Sequence, residues 1–328
     1  MVAAFGASAG PAPAVANAAC GAATAGVLGG VDASVTTNIY SNELGGKEVS
    51  DDLALITGSR RLVAAVAGHD LKAVHRAASA LVYHPVWHIV ALRVLDAAGH
   101  VLADVGGKFV IAPVSGVLRS ASGAQVGSFV MSVQDDAGVT KLEDHSVGDP
   151  IGIYYKGPLV ASLGAHFPRR APTATSLRIG GLSYRTVWLT YRAYPSGSLR
   201  ALLLVAPPAA AVAREPCALV RANEFGRVAR RLTTLLGPIS QHYYGYSYWV
   251  HIYTGARVFV RNPDGSQLAA SDGSTPPPLP QSGTFNDENQ SWLVYSFVPV
   301  PPARVYLLVP ASAAAAGNAT ATGATLHG

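Results

Sequence analysis

Between Val31 and Ala67 the apolar residues Val35, Ile39, Val49, Leu53, Ile56, Leu62 and Val66 recur at mostly helical spacing, which predicts a long helix that Gly45-Gly46 kinks or splits. Asp70 can cap a second helix over Leu71 to Leu81. That helix stops at His84-Pro85, because a residue before proline is pushed out of the α region. From there the pattern changes to short apolar runs divided by turn residues. His88 to Leu95 and His100 to Val105 flank the turn Asp96-Ala97-Ala98-Gly99, a hairpin signal. Lys108 to Ala112, Val114 to Arg119 and Gln125 to Gln134 continue the strand pattern. Asp135-Asp136-Ala137-Gly138 makes a further turn, followed by strands over Val139 to Asp144 and Ile151 to Tyr155. After a loop from Phe167 to Pro172, strands are expected at Leu177 to Ile179, Tyr184 to Ala193 and Leu199 to Val205.

Beyond Pro207-Pro208 the plan returns in a smaller format. A helix is predicted from Pro216 to Leu236, then strands Arg257 to Arg261 and Gln267 to Ala270 about the turn Asn262-Pro263-Asp264-Gly265, then a proline-rich loop from Pro276 to Pro280. Two segments recur in the same order. Residues 188–205 lie without a gap over 292–309 with eight identities in eighteen positions, among them Trp188 over Trp292, Pro195 over Pro299 and Arg200 over Arg304. Val94 to Ala103 likewise matches Val260 to Ala269 as run, glycine-ended turn and run. Copies about 100 residues apart indicate a domain duplication, since a solenoid repeats every ~20–50 residues. The expected organisation is a leader or disordered arm at 1–30, a larger module at 31–207, a linker at 208–215, a smaller module at 216–310 and a disordered tail at 311–328. Helices followed by antiparallel meanders give an α+β fold. Gly99 to Arg200 spans 101 positions and Gly265 to Arg304 only 39, so the first module carries extra residues, and function is expected where the copies diverge.

Composition narrows the class. The 328-residue chain is 49% hydrophobic and 13% charged, yet no run of about 18 uninterrupted apolar residues offers a membrane span. The net charge of +5 comes from dispersed basic residues, and Arg221, Arg227, Arg230 and Arg231 fall on several faces of one helix as a solvated surface, so no nucleic-acid partner is expected. Ala16-Asn17-Ala18 is the small-residue pattern that a signal peptidase cuts after, in an N-terminal stretch lacking a positive n-region. It reads either as a truncated leader, the reading favoured here, or as a low-complexity arm. An exported chain permits a disulfide between Cys20 and Cys217, its only cysteines. The other readings are two unrelated buried thiols or a lipid-modified Cys20.

The stretches Val90 to Asp104 and Gly127 to Asp136 resemble the first hairpin and central strand of the tandem PAS-like extracytoplasmic sensors called double Cache or PDC domains. The resemblance covers nearly the whole ordered pattern. It implies two PAS-like modules, each an antiparallel sheet with flanking helices, and a long N-terminal helix acting as a stalk. It also implies a small-molecule ligand, of unknown identity, in the first module, with the signal passed to a membrane partner protein.

Tyr83-His84-Pro85-Val86-Trp87-His88 concentrates aromatic rings and imidazoles where helix gives way to strand, and in a PAS-like fold this junction borders the pocket. The plainer reading is that Trp87 packs the core and the histidines cap backbone groups. Arg93, Ser132 and Gln134 join Tyr83, His84 and Trp87 as candidate ligand contacts, with Ser132 and Gln134 on one side of their strand. Asp135 could hold a ligand amine or serve the turn before Gly138. Asp104 and Lys108 flank Gly106-Gly107, where backbone could approach a ligand or simply turn. Tyr243 to Trp249, the densest aromatic stretch, is either a binding face for glycan or partner or a core-to-surface segment. Gly6 to Gly10 matches G-x-S-x-G without the strand and helix an elbow needs, and adjacency of Asp144, His145 and Ser146 makes no triad. No phosphate loop, zinc knuckle or paired-carboxylate signature stands out, so no cofactor, metal or enzymatic activity is expected. The rival reading is a secreted scaffold or adhesion module that binds protein or envelope polymer and needs no cavity.

Overall fold

A computed structural model describes residues 18–235, 243–287 and 290–311. The G-x-S-x-G match, most of the expected leader and the expected tail from 312 onward lie outside the described residues. The helix expected from Val31 begins earlier, inside the segment read as an arm, and is broken twice, giving α1 (Thr24–Gly45), α2 (Lys47–Thr57) and α3 (Arg60–Ala67). Gly46 makes the first break in extended backbone. Ser59 makes the second by capping α3, its hydroxyl accepting from the Leu62 N–H at 3.3 Å. Asp70 caps α4 (Leu71–Val82), accepting from the Ala73 N–H at 3.0 Å.

Three antiparallel sheets follow, so the fold is α+β. The strands β1 (Ala91–Asp96), β2 (Val101–Gly106), β3 (Val114–Arg119) and β4 (Gln125–Ser132) lie in the order β2-β1-β4-β3, packed on α3 and α4. After α5 (Asp136–Ser146) come β5 (Ile151–Tyr155), β6 (Leu159–Leu163), β7 (Ser176–Ile179), β8 (Leu182–Arg192) and β9 (Ser198–Val205), ordered β6-β5-β9-β8-β7. After α6 (Cys217–Leu235) and α7 (Tyr243–Thr254) come β10 (Arg257–Arg261), β11 (Gln267–Ala270), β12 (Ser282–Asp287), β13 (Gln290–Val300) and β14 (Ala303–Pro310), ordered β11-β10-β14-β13-β12. The second and third sheets thus share one topology. The extra length between residues 31 and 207 is accounted for by a second sheet.

Two segments differ from the expected strands. Val139 to Asp144 belongs to helix α5, because Asp135 caps its first turn through the Gly138 N–H and Val139, Glu143 and Val147 recur every fourth residue on its buried side. Lys108 to Ala112 is irregular, its Val110 N–H going to the Asp136 side chain at 2.9 Å instead of to a neighbouring strand.

Register separates the two sequence matches. The hairpin match survives pairing by pairing: Leu95 faces Val101 and Val94 faces Ala103 across a bulge, just as Arg261 faces Gln267 and Val260 faces Ala269. In both turns the fourth residue is a glycine at positive φ, 88° at Gly99 and 86° at Gly265, a region closed to most side chains. The longer match does not survive. Trp188 faces Leu202, but Trp292 faces Pro310, because the turns between the paired strands differ in length. What the eighteen matched residues share is strand chemistry. In β9, Ala201 and Leu203 enter one core while Leu202 and Leu204 enter another on the opposite face, and a strand covered on both sides reads as an unbroken apolar run.

Helix α1 is the long N-terminal helix and is packed into the body of the fold. Val31, Val35 and Ile39 are buried in one core with Phe225 and Val228 of α6, Val250 of α7 and Val305 and Leu307 of β14. One residue further, Tyr40 enters the core of the second sheet with Ile151, Tyr191 and Leu203. Its ring stacks on Tyr191 at 4.1 Å, and its hydroxyl donates to the Arg192 carbonyl and accepts from the Ala112 N–H at 3.0 Å. Just ahead of α1, Cys20 is disulfide-bonded to Cys217 at the start of α6, 197 residues away in sequence.

Replacing Ile39 by Ala is expected to cost about 2–5 kcal/mol, since the surrounding elements cannot all collapse onto the void; a urea titration should show a lower midpoint at unchanged slope. Converting both Cys20 and Cys217 to Ser is expected to cost about 2–5 kcal/mol, because a long closed loop is released in the unfolded chain. Intact protein under reducing conditions should match the double variant in thermal unfolding.

Candidate functional site

The C-terminal end of α1 and the whole of α2 form one side of a cleft of about 830 Å³. The segment Val86-Trp87-His88 and Val133 form its base toward the first sheet, and Tyr248 and Trp249 of α7 form the opposite side. The two acids deepest in it arise from the helical pattern itself. Val35, Ile39 and Glu43 follow at intervals of four, and Val49, Asp52 and Ile56 at intervals of three and four, so Glu43 and Asp52 occupy places on otherwise apolar buried stripes.

Burial holds both acids toward the neutral form. Glu43 is 8% exposed, and burial, reinforced by the nearby Glu48, raises its pKa to about 7. Asp52 is 3% exposed; its Oδ2 has no hydrogen-bond partner among the described residues, while the His88 backbone N–H serves the same carboxylate. Its pKa is raised by burial and then by Glu48, with His88 opposing. The outer acids are partnered. Glu48 pairs with the His88 imidazole and Asp51 with Lys47 at 2.6 Å, all four exposed. Such exposed pairs contribute little to stability.

The residues singled out from the sequence are distributed as follows. Trp87 lines the cleft, and His84 stacks on its outer side with ring centroids 3.8 Å apart. Tyr83 ends α4 with its side chain in solvent. Arg93 and Asp104 are cross-strand partners on β1 and β2, with Nε to Oδ2 at 3.1 Å, and the Tyr194 hydroxyl lies 3.4 Å from the same carboxylate. Lys108 is exposed beyond β2. Ser132 is fully buried, its hydroxyl between the carbonyls of Ile111 and Gln134 at 2.7 and 2.9 Å. The Gln134 side chain accepts from the Asp135 N–H at 3.1 Å, and the Asp135 carboxylate caps α5. Of this set only Trp87 reaches the cleft; the polar groups from Ser132 to Asp135 are engaged by the chain's own backbone.

The aromatic stretch from Tyr243 is helix α7, and its residues divide by face. Tyr246 is buried with its hydroxyl donating to the Ala229 carbonyl at 3.0 Å, whereas Tyr248 and Trp249 reach the cleft. Glu43 and Asp52 escaped the sequence reading, although a carboxylate on a core-facing stripe was a visible signal.

A second group of acids lies deeper along α1. Asp32 is 1% exposed, paired with Arg227 at 3.1 Å and hydrogen-bonded to the Asp149 carboxyl, while Arg227 also holds Glu224 and the Val147 carbonyl. Arg227 therefore belongs to a partly buried ionic cluster and not to a solvated helix surface. Burial, with Asp149 and Glu224 nearby, raises the Asp32 pKa, and burial raises Asp149 to about 6. Glu143 of α5, fully buried near Tyr191, is raised to about 8 by burial, and its Oε2 has no partner among the described residues.

No family model matches the chain, and no curated protein matches it. Part of the fold is similar to solved structures. An extracellular ligand-binding receptor from Desulfohalobium retbaense is similar over 52% of this chain and 39% of its own, with 10% identity and a TM-score of 0.30. The ligand-binding domain of an amino acid chemoreceptor from Pseudomonas aeruginosa, in complex with GABA, is similar over 52% of this chain and 99% of its own, with 15% identity and a TM-score of 0.23. Likenesses this weak carry nothing about what this chain binds.

The raised carboxyl groups set the sign of the pH dependence. In the unfolded chain these groups ionise near their ordinary values of 3.8 and 4.5, whereas folded Asp149, Glu43 and Glu143 keep their protons to about 6, 7 and 8. Between those limits the folded state binds more protons, so stability falls as pH rises through the window. Urea unfolding at a series of pH values should show this decline, each group contributing at most about 1.4 kcal/mol per pH unit of its window. Glu143→Gln should flatten its upper part.

Proposed function

We propose that this chain is an extracytoplasmic small-molecule-binding protein of the sensor kind, that its ligand occupies the cleft between α2, Trp87 and α7, and that it signals through a partner. The observation that carries this reading is the cleft itself: a cavity of ligand size lined by Trp87, Tyr248 and Trp249 and by two buried acids that no lysine or arginine among the described residues pairs with. A scaffold that binds only through its surface has no need of such a cavity. The disulfide supports an oxidising compartment outside the cytoplasm.

The mechanism follows from which elements form the walls. One side belongs to α1 and α2, and the other to α7, which packs on the third sheet. A ligand touching both sides favours whichever arrangement of α7 against α1 closes on it, and the shift equals its difference in affinity for the two arrangements. Because α1 also joins the core of the second sheet, such a shift is felt beyond the cleft.

A thermal-shift screen against amines, amino acids, carboxylates, purines and sugars tests the reading. A ligand at 100 times its dissociation constant is expected to add about 2.7 kcal/mol to the native state, and Trp87→Ala should abolish the shift while leaving the free protein folded. A flat screen, or a hit indifferent to Trp87→Ala, would sink the cleft as the binding site.

A further inference from the structure

This inference rests on the ligand-binding reading and concerns the chemical class of the ligand. Four carboxylates are among the described lining residues of the cleft, and ion pairs hold only two of them, Asp51 by Lys47 and Glu48 by His88. Glu43 and Asp52, the two that are more than nine-tenths buried, line it with no lysine or arginine partner among the described residues, and Asp52 meets only His88, through its backbone N–H and its charge. The Asp52 Oδ2 lacks even a neutral hydrogen-bond donor among the described residues. An orphaned carboxylate oxygen at that depth is costly in a free protein, and the cost is relieved by a guest that brings a positive charge and an N–H bond.

The remaining lining residues decide what kind of cation fits. Trp87, Tyr248 and Trp249 supply aromatic surface, suited to a methylene chain and to the ammonium it carries. A bare metal ion gains nothing from such walls, and the described residues offer no group of three His, Cys, Asp or Glu side chains to hold one. Among the described lining residues there is no arginine and the single lysine is already engaged, so a carboxylate on the ligand would meet acids without a free lysine or arginine. A quaternary ammonium would satisfy the charge but could not donate to the Asp52 oxygen.

We propose that the cleft binds an alkylamine that carries N–H donors and no carboxylate, its ammonium seated at Glu43 and Asp52 and its chain lying against Trp87, Tyr248 and Trp249.

Calorimetric titration of the full chain with four probes of equal chain length tests this: cadaverine, δ-aminovalerate, glutarate and fully N-methylated cadaverine. Cadaverine is expected to bind, with the other three at least about tenfold weaker. Asp52→Asn and Glu43→Gln should each weaken cadaverine by at least about tenfold. Both are near-isosteric and replace an acid that burial already holds toward its neutral form, so each should fold; thermal melts of the free variants check this, and either one alone suffices. No binding of cadaverine overturns the proposal, as does binding of cadaverine that both neutral variants leave unchanged. Glutarate or δ-aminovalerate binding as tightly as cadaverine, and lost in Trp87→Ala, overturns the ligand class but leaves the cleft as the binding site. Cadaverine binding that survives Trp87→Ala and both neutral variants overturns the class and the site together.

Discussion

Helix α1 completes the cores on both of its sides, and the rest of the molecule depends on that burial. Val31, Val35 and Ile39 close the core beneath α6, α7 and the third sheet, Tyr40 closes that of the second sheet, and Leu44 packs against both the first and second cores. An antiparallel sheet of five strands must cover at least one face to be stable in water. Here one helix helps to cover two, so neither half of the chain has a full core without it. The disulfide reinforces the arrangement by joining the residues just before α1 to the first residue of α6. Tyr40 shows what such burial demands, since its hydroxyl is accommodated only because a carbonyl and an N–H from separate segments converge on it.

The same helix carries polar groups into the interior and treats them differently along its length. Near its start, Asp32 meets Arg227, which also binds Glu224 and the Val147 carbonyl, so charge there is compensated within the fold. Near its end, Glu43 is buried with no lysine or arginine beside it among the described residues. A buried carboxylate persists if it is paired or if it keeps its proton. The first solution makes Asp32 part of the architecture that ties α1 to α6. The second leaves Glu43 and Asp52 lining a cavity, where a partner can still arrive from outside.

The cleft draws its walls from elements far apart in the chain. Glu43 and Asp52 come from the N-terminal helices, Trp87 from the passage into the first sheet, and Tyr248 and Trp249 from the helix that covers the third. None of these segments forms a pocket alone. The sensor resemblance led to a site within the first sheet, around Arg93, Ser132 and Asp135, yet those groups are engaged across the sheet, by backbone carbonyls and by a helix terminus. Asp135 illustrates the difficulty: the same Asp-x-x-Gly spelling serves a hairpin turn at Asp96 and a helix cap at Asp135, and only the packing of Val139, Glu143 and Val147 distinguishes them.

Local chemistry along the chain determined much of the architecture. Glycine and an aspartate cap placed the first break and the restart in the N-terminal helices, short apolar runs between turn residues marked most of the strands, and the glycine-ended turns of the two matched hairpins produced the same bulged register. These features depend on neighbours within a few residues, so they can be read in one dimension. The pairing of Cys20 with Cys217 was expected from the sequence, as the chain's two cysteines, and is formed, whereas the second sheet between residues 151 and 205 and the burial of α1 were decided by contacts between distant segments. The cleft belongs to the same category. Its aromatic side was visible as a dense stretch from Tyr243, but a carboxylate on an apolar stripe shows only that it will be buried, and tertiary packing decides whether it meets an arginine, as Asp32 does, or an open cavity, as Glu43 and Asp52 do.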